Sequence, residues 1–137
     1  MEKALFNYIA EIISDYPETD HYIKEREDEL MNQFQEFKDE NVGGGRAQFK
    51  QNTGVEDMAI TLSEDRKLNN LRRHAIAVKK CLDTSDDTTN LIIKELYLQK
   101  HQYLTIAGVA AKVYLSDRAV RERRNRFFES VAKELGL

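Results

Sequence analysis

Residues that interrupt helices are scarce in this sequence. One proline, Pro17, stands in 137 residues, and three of the six glycines form a single run, Gly43-Gly44-Gly45. So few breaks leave room for long helices. No stretch approaches the roughly 18 uninterrupted apolar residues of a membrane span, so no membrane partner is expected. The single cysteine, Cys81, rules out an internal disulfide and falls one ligand short of a minimal cysteine-pair zinc motif. Met1-Glu2-Lys3-Ala4-Leu5 has no basic region followed by an apolar core, so the expected location is the cytoplasm.

What is present is charge, divided by position. Hydrophobic residues make up 41 % of the chain and charged residues 33 %, and the net charge is only −3. Residues 1–40 set four basic side chains against twelve acidic ones, a net of −8. Residues 112–133 set seven basic against three acidic, a net of +4. Such asymmetry suits a chain with one part facing nucleic acid and another doing something else.

The apolar spacing is helical throughout. Leu5, Tyr8, Ile9, Ile12, Ile13 and Tyr16 predict a helix over 2–15. Asp15-Tyr16-Pro17 ends it, and Pro17 opens a second helix to about Glu40, with Ile23, Leu30, Phe34 and Phe37 on one face. The glycine-rich, polar segment 41–54 reads as a flexible linker. Its Gly43-Gly44-Gly45-Arg46 lacks the Gly-Lys-Ser/Thr ending of a phosphate-binding loop. The helical period resumes with Val55, Met58, Ala59 and Leu62, then Leu71, Ala75, Val78 and Leu82. One long helix over 55–84, or two with a kink near Ser63, both satisfy it. Ser85 then offers an N-cap for a fresh helix. The expected class is all-α: an N-terminal helical hairpin (1–40), a linker (41–54), a long central helix (55–84) and a C-terminal helix-turn-helix unit (85–137).

The last fifty residues carry the functional signal. Leu91, Ile92, Leu96 and Tyr97 mark one helix; Thr105 caps a short second, Ile106 to Val113; Ser116 caps a third, Asp117 to Leu135. A helix-turn-helix needs small residues at a close crossing, an apolar anchor in the turn and a capped recognition helix. Ala107-Gly108-Val109-Ala110-Ala111, Leu115 and Ser116 supply them. At about 100° per residue, Val120, Phe127, Val131 and Leu135 share an inner face with Phe128 at its edge; Arg118, Glu122, Asn125 and Glu129 lie opposite, flanked by Arg121. In a major groove Arg118 would grip guanine and Asn125 adenine. Glu122 would accept from cytosine, or hold Arg118 or Arg126 in place. Arg123 and Arg126 lie to the side, suited to phosphates, and Lys112 joins this DNA-binding set. Arg124 falls on the apolar side, where its stem can lie along the core.

Leu104-Thr105-Ile106-Ala107, Ala110 and Leu115-Ser116-Asp117-Arg118-Ala119-Val120 resemble region four of bacterial sigma factors. Across its length the chain resembles the RinA-type phage transcriptional regulators. Asp15-Tyr16-Pro17, Asn41-Val42-Gly43-Gly44, Glu56-Asp57-Met58-Ala59-Ile60 and Ala132-Lys133-Glu134-Leu135-Gly136 carry that resemblance. It implies a regulator in a bacterial host that binds double-stranded DNA and activates phage late genes for packaging and structural proteins. A sigma-like unit also implies contact with host RNA polymerase.

Other chemistry is not expected. His21, His74 and His101 have no ligand-spaced partners, Cys81 suits packing, and Glu25, Glu27, Asp28 and Glu29 form a solvated face. The chain reads as a non-enzyme without metal or cofactor. Its acidic N-terminal helices are expected to serve association, with a two-fold dimer favoured. The competing reading is a small subunit of a phage DNA-packaging motor, which would form rings of many copies.

Overall fold

The computed structural model describes the backbone of residues 1–40 and 47–137 and the side chains of residues 1–33 and 56–137. The described residues are helical without strands, so the fold class is all-α. Gly43-Gly44-Gly45-Arg46, and with them most of the glycine run's expected role, lie outside the described residues, as do the side chains of Phe34 and Phe37. The chain divides into two compact units, Met1–Glu18 with Arg73–Leu137, and Thr19–Arg72.

In the second unit, α2 (Thr19–Glu40) follows a short 3-10 turn at Tyr16–Glu18 and lies beside α3 (Ala47–Glu64). The expected linker is therefore too long at its C-terminal end. Residues 47–54 are helical, because Ala47 and the polar Gln48, Lys50 and Gln51 are all good helix formers. The central stretch is two helices, with α4 (Arg66–Thr84) starting afresh after Asp65. The Asp65 carboxylate accepts from the Leu68 backbone N–H at 2.9 Å, as an N-cap does. Arg26 of α2 grips the same carboxylate with Nε at 3.2 Å and Nη2 at 3.0 Å. The Arg26 bonds and the Leu68 N–H hold the Asp65 carboxyl below its ordinary range. A break at a kink site thus becomes a pinned corner. Leu30 and Leu68 are the buried apolar side chains of this unit among those described.

The first unit holds α1 (Lys3–Asp15), the end of α4, α5 (Asp87–Ile93, extended by a π-helical turn through Leu98), α6 (Ile106–Val113) and α7 (Asp117–Glu134). It contains two apolar cores. Ile9, Ile12 and Ile13 of α1 pack with Ala77, Val78 and Cys81 of α4, Ile93 of α5, and Phe127, Phe128, Val131 and Leu135 around the end of α7. Ile92, Leu96, Val109, Ala110 and Val120 form a smaller core where α5, α6 and α7 meet. The π turn widens α5 as it passes between the two, so that Leu96 enters one core while Leu98 packs on the other and Tyr97 touches both.

Two expectations change here. The expected N-terminal hairpin is split, since α1 packs with the C-terminal helices while α2 lies beside α3. The α1 isoleucines are also covered inside the chain, so they do not call for a second copy. Three isoleucines removed from water contribute about 1.5–3 kcal/mol each, which is why α1 docks. Among the described residues no helix is long and apolar enough to cross a membrane.

Candidate nucleic-acid interface

The interface is built from its caps inward. Thr105 is extended, and its hydroxyl accepts from the Gly108 N–H at 3.2 Å, starting α6. Gly108 sits close to a neighbour in its own turn rather than to a crossing helix: a Cβ there would meet Leu104 Cδ2 at 3.2 Å, so that side chain would have to shift slightly. The small residue buried within the core is Ala110; Ala107 and Ala111 are exposed. Helix α6 ends in a Schellman motif. The N–H groups of Tyr114 and Leu115 both reach the Ala110 carbonyl, the latter at 3.0 Å, and Tyr114 takes the left-handed conformation at φ 58°. Leu115 then packs on the small core as the turn anchor. Ser116 follows, its hydroxyl accepting from the Ala119 N–H at 3.1 Å to start α7.

The inner face of α7 is as the periodicity predicts, and Phe128 lies fully inside rather than at the edge. Its ring meets Phe6 of α1 at 4.7 Å and Tyr97 at 5.1 Å between centroids. Arg124 covers this cluster, with its guanidinium carbon 5.0 Å from the Phe6 ring centroid. Burial raises the Tyr97 phenol above its ordinary pKa, against the opposing pull of Arg124.

On the outer face the structure brings Arg118, Arg121, Glu122, Asn125 and Arg126 together, all exposed. Arg118 Nε donates to Glu122 Oε1 at 3.2 Å, and its side chain is 89 % exposed. Asn125 Oδ1 accepts from Arg124 Nε at 3.2 Å, and the Asn125 side chain is exposed. No hydrogen bond or ion pair engages the Arg121 or Arg126 guanidinium among the described residues.

Two of the predicted basic residues are tied to α5 instead. Arg123 Nη1 donates to Asp86 Oδ2 at 2.7 Å, and lies 3.5 Å from Thr89 Oγ1. Lys112 Nζ donates to Glu95 Oε1 at 2.7 Å, and Glu95 is buried in the π turn. Asp86, not Ser85, caps α5: its Oδ1 accepts from the Thr89 N–H at 3.0 Å. Ser85 stays with α4, because its own N–H bonds the Cys81 carbonyl. The Thr89 hydroxyl, Arg123 and the Thr89 N–H together lower the Asp86 carboxyl to about 2. One carboxylate thus starts α5 and holds α7 against it.

Sequence reasoning missed Asp86 and Glu95. The sequence pointed to Ser85 as the cap, and the bond from the Thr89 N–H to Asp86 moves the cap one residue on. Among the described residues no three His, Cys, Asp or Glu side chains gather as metal ligands would, and Cys81 is buried, with burial raising its thiol pKa.

A family model described as "Protein of unknown function (DUF722)" matches residues 6–133, running from α1 into the last turn of α7. The chain belongs to that family. No curated protein matches the chain, and no solved structure does. The family therefore takes in both units, and the α1 side chains that pack against α7 lie within the match.

Proposed function

We propose that the chain is a sequence-specific DNA-binding regulator of transcription that lays the first half of α7 in the major groove of double-stranded DNA. One observation carries this reading. The turn between α6 and α7 is fixed by two caps and a Schellman motif, and the helix it starts buries one face while presenting Arg118, Arg121, Glu122, Asn125 and Arg126 on the other. Rigid presentation of such side chains from a helix N-terminal half is what base reading requires.

Arg118 and Asn125 read base edges, with Glu122 orienting Arg118. Arg121 and Arg126 contact phosphates and supply affinity without sequence information. Lys112 sits on α6, which crosses the backbone in such units, and exchanges its Glu95 pair for phosphate on binding. Arg123 changes role from phosphate contact to positioning, because Asp86 already holds it. The protein acts by binding and not by catalysis. Its resemblance to phage late-gene activators makes activation of packaging and structural genes beside host RNA polymerase the biological form of this reading. A two-fold dimer completes it by bringing a second α7 to a second half-site.

The test is selection of binding sites from random duplexes with the full chain, followed by substitution. Arg126→Ala is expected to weaken all duplexes alike and to lower the salt slope by about one unit. Recovery of no preferred duplex would contradict sequence-specific binding.

A further inference from the structure

We propose that Tyr114 is a contact to the DNA sugar–phosphate backbone at the rim of the groove that α7 enters. The inference rests on the DNA-binding reading above and adds a residue that helical periodicity cannot reveal, since Tyr114 belongs to the turn.

Two independent features of Tyr114 lack a structural reason. The first is its backbone. Both α6 and α7 end in Schellman motifs: Leu115 N–H bonds the Ala110 carbonyl at 3.0 Å, and Leu137 N–H bonds the Ala132 carbonyl at 2.9 Å. The motif after α7 places a glycine in the left-handed position, Gly136 at φ 75°, while the motif after α6 places Tyr114 there at φ 58°. Among the described residues Tyr114 is the non-glycine residue with positive φ. Glycine would adopt that conformation without the Cβ clash, so the turn itself does not ask for tyrosine.

The second feature is exposure. The Tyr114 side chain belongs to neither apolar core, and the residue is 93 % exposed, more than any other large apolar or aromatic residue described. Its neighbour Leu115 already anchors the turn. The left-handed backbone is unfavourable to the free protein, and the exposed ring gains no packing that would offset it. Strain of this kind gathers where a ligand is met.

The chemistry of the side chain and its position select the ligand. Tyr114 stands two residues before the Ser116 cap, outside the α7 face that reaches bases, and close in sequence to the exposed Lys112 and Arg118. A phenol there offers an O–H donor to a phosphate oxygen and a flat ring to deoxyribose. Tyrosine is stiff, with few rotatable bonds to immobilise, and the two backbone bonds to Ala110 hold its Cα in place before DNA arrives.

The experiment uses the full chain, duplex DNA of random sequence at low salt, fluorescence anisotropy and thermal unfolding. Tyr114→Gly relieves the backbone, so its midpoint is expected to equal or exceed that of the parent. Its dissociation constant is nevertheless expected to rise about tenfold, the scale of a hydrogen bond to a charged group. Tyr114→Phe keeps the ring and loses the donor, and is expected to fall between the two. A Tyr114→Gly variant that binds as tightly as the parent would overturn the proposal, as would one with a lowered midpoint, since the strain argument would then fail. Tyr114→Phe binding like the parent would remove the phosphate bond. Arg121→Ala and Arg126→Ala run beside these: if they weaken binding while the Tyr114 variants do not, only the tyrosine contact is wrong. If the parent binds no duplex, the DNA-binding reading falls and takes this contact with it.

Discussion

Asp86 concentrates more structural consequence than any exposed arginine on α7. Its two oxygens serve two elements, Oδ1 the start of α5 and Oδ2 the guanidinium of Arg123. Asp86→Ala is expected to destabilise the unit by about 1 kcal/mol through loss of the cap alone, and chemical denaturation measures it. The depressed carboxyl also sets a pH dependence. Its folded value of about 2 lies below an unfolded value near 4, so its stabilisation is full above pH ~5 and is lost as pH falls toward 2. Because the Asp86 side chain is 57 % exposed, solvent screens the pair and the effect stays small. Comparison of acid unfolding in the parent and in Asp86→Ala tests this, since the variant should lack that portion of the acid sensitivity. The paired arginine was read from sequence as a phosphate contact because its angular position is lateral. Periodicity places a side chain on a face but does not say which carboxylate waits beside it.

At the scale of elements, local chemistry made most of the first unit legible. Thr105 and Ser116 were recognisable caps because a short hydroxyl residue precedes an apolar-periodic run in each case, and both hydroxyls accept the expected N–H. Ser116→Ala is expected to cost about 1 kcal/mol, to fray the first turn of α7 and to weaken DNA binding as Arg118 loses its fixed base. Amide exchange at Ala119 and Val120 measures the fraying, and unchanged protection there would contradict the cap's role. Elements that depend on distant partners were harder to see. The corner at Asp65 is stabilised by Arg26, thirty-nine residues earlier in the chain. The π turn at Lys94–Leu98 answers the need of α5 to feed two cores, and no local residue announces it. Residues 47–54 misled through polarity, which suggests a loop, although helix propensity there was adequate.

Over the whole molecule, the acidic N-terminus divides between two units, and charge gave no sign of it. Helix α1 belongs to the unit that carries the interface, where Ile13 is fully buried and the Phe6 ring packs at a tilt against Phe128 of α7. Ile13→Ala is expected to cost about 2–5 kcal/mol and, with it, much of the folded population of the DNA-binding unit. Thermal unfolding followed with DNA titration checks this; a variant unfolding like the parent would mean that α1 is dispensable to the interface. An apolar stripe in sequence shows only that a face must be covered. The identity of the cover, here α4, α5 and α7 of the same chain, follows from the fold.

The central claim is that the outer face of α7 reads sequence, and Arg118 tests it most directly. The measurement is the ratio of affinities for a selected duplex and a scrambled one, taken at one fixed salt concentration, for the parent and for Arg118→Ala. The account predicts that the parent discriminates, and that Arg118→Ala loses about 1–3 kcal/mol on the selected duplex while binding the scrambled one nearly as before, relaxing specificity at one base pair. An Arg118→Ala variant that keeps both the affinity and the discrimination of the parent would contradict it.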